Sequence, residues 1–143
     1  MTNITKSTKI SDIQRNWHLI DVKGEILGRI STKIANLLMG KSKPYFVRNL
    51  DCGDYVVVIN AKDVKVTGKK ETDKKYYRHS GYPGGFRTET FKDLQQKNPA
   101  EIVKHAVRGM LPQNRLRDRM LKRLFIFTDE KHIYSDKIKK ESN

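Results

Sequence analysis

Tyr55-Val56-Val57-Val58-Ile59 is a continuous run of aromatic and β-branched residues, and it decides the predicted fold of this chain. Successive side chains of a strand point to opposite faces of a sheet, so a strand that is apolar throughout is buried on both faces. Such strands are typical of parallel sheets covered by helices on their two sides. The run therefore predicts a fully buried strand of a parallel sheet.

The segments around this run complete a predicted α/β unit. Residues 17–21 (WHLID) are typical of a short strand, and Gly40 followed by Pro44 provides a helix stop signal. Between them, apolar residues recur at helical spacing: Leu27, Ile30, Ile34, Leu37 and Leu38. A strand, a helix and a second strand predict a βαβ unit with a right-handed crossover. Val64 and Val66 alternate with lysines, which predicts a third and more exposed strand.

The second half of the chain begins with a polar stretch and returns to apolar elements. Residues 68–90 are rich in Gly, Tyr and charge, and they predict an extended hairpin or loop. Residues 98–101 (NPAE) resemble a helix start, with a capping side chain, a first-turn proline and a glutamate. Asn114 is placed to cap a further helix that runs through Arg123, and residues 124–127 (LFIF) predict a last buried strand.

The 143 residues fit one domain that is long enough to bury a core. We expect an α/β domain over residues 16–128, with a small parallel sheet and a projecting basic loop at residues 68–90. A polar N-terminal arm over residues 1–15 and a polar C-terminal tail over residues 129–143 flank it.

The chain carries a large positive charge, because 30 lysines and arginines face 16 acidic residues and leave a formal charge of +14. A charge of this size opposes the compact fold by self-repulsion, so we expect a polyanionic partner to offset it. Nucleic acid fits, since each phosphate neutralised by a cationic side chain releases a condensed counterion. The alternative is a protein with a solvated basic surface.

A first cluster of cations is interleaved with aromatic residues in the predicted loop. Cations bind phosphates and aromatic faces stack on exposed bases, so this mixture favours folded RNA as the ligand. The predicted RNA-binding residues here are Lys69, Lys70, Lys74, Lys75, Tyr76, Arg78, His79, Tyr82 and Arg87. In the alternative interpretation, Tyr77 or Phe86 merely anchors the loop on the core.

A second cluster lies further along the chain and consists of Arg108, Arg115, Arg117, Arg119, Lys122 and Arg123. These cations exceed what pairing within a helix could neutralise, because Asp118 is the one acid among them. We expect phosphate contacts here, and a solvated face is the alternative. Lys41 and Lys43, at the end of the first predicted helix, either bind RNA or complement the helix dipole.

The catalytic and metal-binding patterns in the sequence are incomplete. Residues 66–70 resemble a phosphate-binding loop, but Asp63 replaces its first glycine and Lys70 its Ser or Thr. The four histidines have no metal-ligand spacing. Cys52, the one cysteine, lies in an acidic turn that disfavours the thiolate. We therefore expect no enzyme, no cofactor and no metal, and an intracellular protein without an internal disulfide.

Several long motifs occur in one order along the chain: residues 17–29, 51–55, 58–61, 67–70, 76–85 (YYRHSGYPGG), 107–112 and 120–124. Over roughly residues 15 to 132 they resemble the bacterial large ribosomal subunit protein thirteen family, a far more specific signal than one short pattern. His132 also matches a family histidine. Arg117 stands where the family usually has Gly, and Cys52 where it commonly has Thr.

This resemblance implies a three-layer α/β/α fold with a four-stranded parallel sheet. It also implies a structural constituent of the large ribosomal subunit that binds large-subunit ribosomal RNA early in assembly. Neighbouring ribosomal proteins are the implied partners, and the cytoplasm is the implied location. Some family members also bind their own messenger RNA, so a translational regulator is the alternative. An enzyme acting on RNA is a third hypothesis, disfavoured because no convergent acid/base pair, metal set or complete phosphate loop is found.

Overall fold

The computed structural model describes residues 7–141 of the chain, and side chains up to residue 138. Residues 1–6 of the predicted N-terminal arm and residues 142–143 of the predicted tail lie outside the described residues. The strands are β1 (Trp17–Asp21), β2 (Tyr55–Ile59), β3 (Lys75–His79), β4 (Phe86–Thr90) and β5 (Leu124–Ile126). The helices are α1 (Leu27–Met39), α2 (Lys70–Asp73), α3 (Phe91–Lys97), α4 (Pro99–Met110), α5 (Leu116–Leu121) and α6 (Ser135–Glu141), and short 3-10 turns lie at Ile10–Asp12 and Ala61–Asp63.

Strand β2 is the centre of a parallel sheet with the order β1-β2-β5. Val56, Val57 and Val58 are fully buried, which confirms the prediction for this run. Helix α1 connects β1 to β2, so the predicted βαβ unit is present. Its apolar face packs with α4 in one core that includes Ile34 and Ile102.

Among the described residues the parallel sheet has three strands, and an isolated parallel bridge joins Ile26 and Lys65 outside them. The prediction of a strand that includes Val64 and Val66 is therefore wrong, because the pairing here is limited to that one bridge. The carbonyl oxygen of Val64 accepts a hydrogen bond from the side-chain amide of Gln95 (3.1 Å) and not from a neighbouring strand. Strand β5 is half-buried, because it is an edge strand. A fourth strand and the three-layer arrangement stay predictions.

A row of aromatic rings crosses one face of the sheet, and the start of the predicted C-terminal tail packs onto it. Trp17 on β1 stacks on Tyr55 on β2, with ring centroids 4.4 Å apart. Tyr134, just before α6, lies 5.1 Å from Trp17 and 4.5 Å from Phe125 between ring centroids. The ammonium group of Lys137 lies 4.8 Å from the Trp17 ring centroid, which completes the contact. The described part of the tail is thus attached to the sheet.

The basic segment after residue 68 forms α2 and then an antiparallel hairpin of β3 and β4, which confirms the predicted hairpin. Gly81 (φ +86°) and Gly84 (φ +73°) occupy the left-handed region at its tip, which favours glycine. Thr90 ends β4 and caps α3, because its hydroxyl accepts from the Asp93 amide while the Asp93 carboxylate accepts from the Thr90 amide. This cap turns the hairpin directly into α3, which packs on α4.

Helices α4 and α5 begin near their predicted positions. Pro99 is the first residue of α4, although the Asn98 side chain makes no capping hydrogen bond. Asn114 caps α5 as predicted, since its Oδ1 atom accepts from the amides of Leu116 (3.1 Å) and Arg117 (3.2 Å). Helix α5 ends at Leu121, so it is shorter than predicted.

The side chain of Arg123 joins three segments of the chain and is 7% exposed. Its Nη1 and Nη2 atoms donate to the two carboxylate oxygens of Asp51, and Nη2 also donates to the carbonyl oxygen of Leu38 (3.1 Å). Its Nε atom donates to the carbonyl oxygen of Asp54 (3.3 Å). Gly53 permits this approach, because a Cβ atom there would lie 1.6 Å from the Leu38 carbonyl oxygen. One guanidinium therefore holds the end of α1, the turn before β2 and the start of β5.

The carboxylate of Asp54 is buried beside this network. It accepts hydrogen bonds from the Asn16 amide (3.0 Å) and from Lys43 Nζ, and it lies 2.9 Å from His18 Nε2. Burial raises the pKa of Asp54, but the hydrogen bonds from His18, Lys43 and Asn16 outweigh it, so the pKa lies below its ordinary value. Lys43 Nζ also donates to the Gln14 carbonyl oxygen (2.5 Å). These contacts attach residues 14–18 to the segment between α1 and β2.

Arg123→Ala removes the cation that neutralises a buried carboxylate. We expect the free energy of unfolding to fall by about 3–5 kcal/mol, because the Asp51 carboxylate is left with a longer contact to Arg15 Nη2 (3.7 Å) and the Leu38 carbonyl oxygen loses its donor. Arg119→Ala, at an exposed position on α5, is the control and should stay within about 0.5 kcal/mol of the parent. Urea unfolding followed by circular dichroism measures both. Equal losses in the two variants would contradict the assignment of Arg123 to the core.

Asp54→Asn tests the buried carboxylate through pH. Because the folded pKa is lowered, ionised Asp54 stabilises the fold above its ordinary pKa of 3.8, and this contribution is lost as pH falls through the folded value. We expect a loss of about 1.5–3 kcal/mol at neutral pH, the range for hydrogen bonds to a charged group. The difference from the parent should shrink as the solution becomes more acidic than the ordinary pKa. A difference that is constant with pH would show that ionisation of Asp54 does not stabilise the fold.

Candidate nucleic-acid interface

Most of the cations that the sequence predicts to bind RNA are exposed. Ten of them have no ion-pair partner among the described residues: Lys41, Lys69, Lys70, Lys75, Arg78, Arg87, Arg108, Arg115, Arg119 and Lys122. Their ammonium and guanidinium groups are therefore available to a ligand. An exposed group keeps its hydration until a phosphate replaces it, so this arrangement suits binding that depends on salt.

Two predicted RNA-binding cations are corrected by the structure. Arg123 binds Asp51, and Lys43 binds Asp54, so both charges are neutralised inside the protein. The clustering of cations in the sequence could not distinguish Arg123 and Lys43 from the neighbouring cations. The reason is that the acids that pair with them are distant in the sequence or belong to a turn. Arg117 is intermediate, since the residue is half-buried and its Nε atom is buried without a hydrogen-bond partner among the described residues.

Tyr76 is the residue that anchors the hairpin on the core. Its ring meets the His105 ring of α4 edge-on at 5.3 Å, and the Lys74 ammonium group lies 5.5 Å from its centroid. Burial raises the pKa of Tyr76, whose hydroxyl is buried and finds no hydrogen-bond partner within the part of the chain that the structure describes. Tyr76 therefore anchors the hairpin, a role that the alternative interpretation gave to Tyr77 or Phe86. The prediction that Tyr76 contacts the RNA is corrected, because its ring supports the hairpin instead.

The opposite face of the hairpin presents aromatic rings to the solvent. Tyr77 (66% exposed) and Phe86 (60% exposed) stack on each other with centroids 5.6 Å apart, and Tyr82 at the tip is 76% exposed. His79 is also exposed, and its Nδ1 atom accepts from the Gly81 amide (2.9 Å), which fixes the ring. Exposed flat rings of this kind can stack on unpaired bases.

The anchored face of the hairpin carries the arginines. Arg78 on β3 stands directly opposite Arg87 on β4. With Arg108 and His105 on α4 they line a groove of about 260 Å³ between the hairpin and that helix. Like charges opposite each other on neighbouring strands destabilise a hairpin by about 0.2–1 kcal/mol, and an anion in the groove would relieve this repulsion.

Two carboxylates also line this groove. Glu89 is bound by Lys97, with 2.7 Å between Nζ and Oε1, and that hydrogen bond holds the pKa of Glu89 below its ordinary value. Glu101 has no ion-pair partner among the described residues. Since three arginines face one unpaired carboxylate, the groove keeps a net positive charge. It can hold a phosphate between strand and helix.

Helix α5 supplies a second cationic surface. Arg115, Arg119 and Lys122 follow one another at helical spacing, so they share one outward side. Met120 on the other side of this helix is 4% exposed and packs in the core. The described surface therefore carries two separate sets of cations, one at the hairpin and one at α5.

Two residues near these surfaces, His105 and Arg48, were not predicted from the sequence. His105 lies three residues before Arg108 on α4, so helical spacing could have placed it in the groove. Arg48 lies in a segment without periodicity, so it could not be assigned to a surface from the sequence.

Within the described residues, no group of three His, Cys, Asp or Glu side chains could hold a metal ion, and no helix is long and apolar enough to cross a membrane. Cys52 is fully buried, so its thiol is out of contact with solvent.

Comparison of the sequence with known proteins places most of the chain in one family. The family model described as ribosomal protein L13 matches residues 15–133. The large ribosomal subunit protein uL13 of Dehalococcoides mccartyi (strain ATCC BAA-2266 / KCTC 15142 / 195) is 50% identical over 141 residues, which cover 96% of this chain and 99% of that protein. The uL13 of Thermobifida fusca (strain YX) is 52% identical over 128 residues, 90% of this chain and 86% of that one. The chain therefore belongs to the ribosomal protein L13 family.

Proposed function

We propose that this chain is a structural constituent of the large ribosomal subunit that binds large-subunit ribosomal RNA and supports early assembly of the subunit. Membership of the ribosomal protein L13 family supports this role, and its relatives are named as large ribosomal subunit proteins. The observation that carries the RNA part of the proposal is the groove lined by Arg78, Arg87 and Arg108. Neighbouring ribosomal proteins are the further partners, and the cytoplasm is the location.

The hairpin would hold RNA on its two faces in different ways. Its arginine face would bind backbone phosphates in the groove against α4, where a planar guanidinium can donate two hydrogen bonds to one phosphate. Its aromatic face would stack on bases that are unpaired in folded RNA. The Tyr76–His105 contact fixes the hairpin on α4 before RNA arrives, so less conformational entropy is lost on binding.

Contacts with RNA would be distributed over the domain and not confined to the hairpin. The proposed interface consists of Lys41, Lys69, Lys70, Lys74, Lys75, Arg78, His79, Tyr82, Arg87, Arg108, Arg115, Arg117, Arg119 and Lys122. Phosphate contacts of this kind fix the position of a protein on RNA without reading its sequence. The domain over residues 16–128 would thus hold the shape of the RNA, and the polar ends, residues 1–15 and 129–143, would add to it.

A structural role leaves no catalytic step to assign. The family is one of structural proteins of the ribosome, and a role in catalysis is no part of the proposal. Binding of its own messenger RNA, the alternative drawn from the resemblance, has no support in the fold or in the comparisons.

Removal of the opposed arginines tests the role of the groove. We expect Arg78→Ala combined with Arg87→Ala to weaken binding to large-subunit RNA by about 10- to 100-fold, the equivalent of one or two charge-assisted hydrogen bonds. The slope of log affinity against log salt should fall by about 2 units, because each arginine neutralises one phosphate. Thermal stability should stay close to that of the parent, since both side chains are exposed and repel each other.

Lys62→Ala is the control, because Asp129 already neutralises Lys62 at 2.6 Å. It should leave both the affinity and the salt slope nearly unchanged. Filter binding across a salt series measures the affinities, and a melting curve measures stability. If the double variant binds with the parental salt slope, or if it loses binding only because it unfolds, the groove is not the phosphate site.

A further inference from the structure

A half-enclosed apolar pocket lies between the segment that follows α1 and the turn that leads into α5. Its volume is about 340 Å³, and its apolar lining comes from Met39, Phe46, Leu50, Pro112 and Met120. This size falls in the range of about 300–1,000 Å³ that is usual for sites of small organic ligands. The pocket is separate from the hairpin groove, because the two have no lining residue in common among those that the structure describes.

Two cations and one amide complete the lining of this pocket. Lys41 and Arg48 are exposed, and neither has an ion-pair partner among the described residues. None of the described residues that line the pocket is acidic, so it favours a ligand with an apolar body and a negative charge beside it. Asn114 adds a directional group: its Oδ1 atom caps α5, which leaves the two N–H bonds of its amide as donors.

We propose that this pocket receives one unstacked base of the bound RNA, with the flanking phosphates on Lys41 and Arg48. The ring of Phe46 and the guanidinium plane of Arg48 offer surfaces on which a base can stack. The thioether groups of Met39 and Met120 make favourable contacts with aromatic rings. Asn114 donates to an acceptor on the edge of the base. This inference rests on the proposed function, because it names RNA as the ligand.

The walls of the pocket are held in place before any ligand binds. Met39 precedes Gly40, where a Cβ atom would lie 2.5 Å from the Cys52 carbonyl oxygen, so the end of α1 is packed closely on the turn before β2. Met120 is buried in the core cluster. The pocket therefore exists in the free protein, and a base can enter without ordering new backbone.

Methionine methyl groups provide a direct readout of the pocket. In the full chain labelled with ¹³C at the methionine methyl groups, Met39 and Met120 report on the pocket, and Met110, which is 40% exposed and outside its lining, is the internal control. We expect adenosine, guanosine, cytidine or uridine 5′-monophosphate to shift the signals of Met39 and Met120 and to leave that of Met110 in place. Ribose 5-phosphate, which carries the phosphate without the base, should shift neither.

Asn114→Asp is the most selective variant for this site. Aspartate keeps the oxygen that caps α5, so the fold should be retained, but it removes the amide donor and adds a negative charge. We expect nucleotide binding to fall at least about tenfold, because the lost hydrogen bond is accompanied by repulsion between the new carboxylate and the phosphate. Lys41→Ala combined with Arg48→Ala should weaken it similarly, whereas Lys33→Ala, an exposed cation on α1 outside the lining, should not.

A titration with large-subunit RNA separates this inference from the proposed function. If RNA binds but the signals of Met39 and Met120 stay in place, the base site is overturned and the proposed function stands. If no RNA binds at low salt, the proposed function itself fails. If a short acidic peptide with one phenylalanine shifts these signals and the nucleotides do not, the pocket serves a protein partner and the base site is overturned.

Discussion

The buried guanidinium of Arg123 is the contact on which the rest of this fold depends. It satisfies a carbonyl oxygen at the end of α1, which would otherwise lack a partner, and it neutralises Asp51 in the turn before β2. The residue itself leads into β5, so the same side chain sets the edge strand beside the central strand. Buried ion pairs persist where the charged groups are also hydrogen-bonded, and each of the three guanidinium nitrogens of Arg123 donates to at least one of four acceptor atoms.

The pairing of buried cations with acidic residues leaves the exposed cations of the surface without acidic partners. Asp51 and Asp54 are paired with cations of the buried network, so they cannot neutralise the exposed cations at the hairpin or on α5. The exposed cations keep their charge, and repulsion between them costs stability in the free protein. Folded RNA removes that cost. Stability of the domain and affinity for RNA are therefore coupled through the distribution of the same charges.

Periodicity predicted the elements of the fold better than their contacts. The run at residues 55–59 predicted the central strand, and the capping pattern at Asn114 predicted α5, because both signals are local. The role of Arg123 depends on Asp51, which is 72 residues away, and no local pattern carries that information. In the hairpin, neighbouring side chains point to opposite faces of the strand, so Tyr76 is anchored and Tyr77 is exposed. Packing of the hairpin on α4 determines which of the two faces is buried. The individual arginines were predictable, but their convergence on one groove was not.

Lysine reactivity tests most directly the claim that buried cations support the fold while exposed cations bind RNA. The full chain would be treated with an amine-acylating reagent, free and in complex with large-subunit RNA, and the sites would be read by mass spectrometry. The account predicts that Lys69, Lys75 and Lys122 react rapidly in the free protein and are protected by RNA, whereas Lys43 reacts slowly in both states. A Lys43 that reacts rapidly and is protected only by RNA, or hairpin lysines that RNA does not protect, would contradict it.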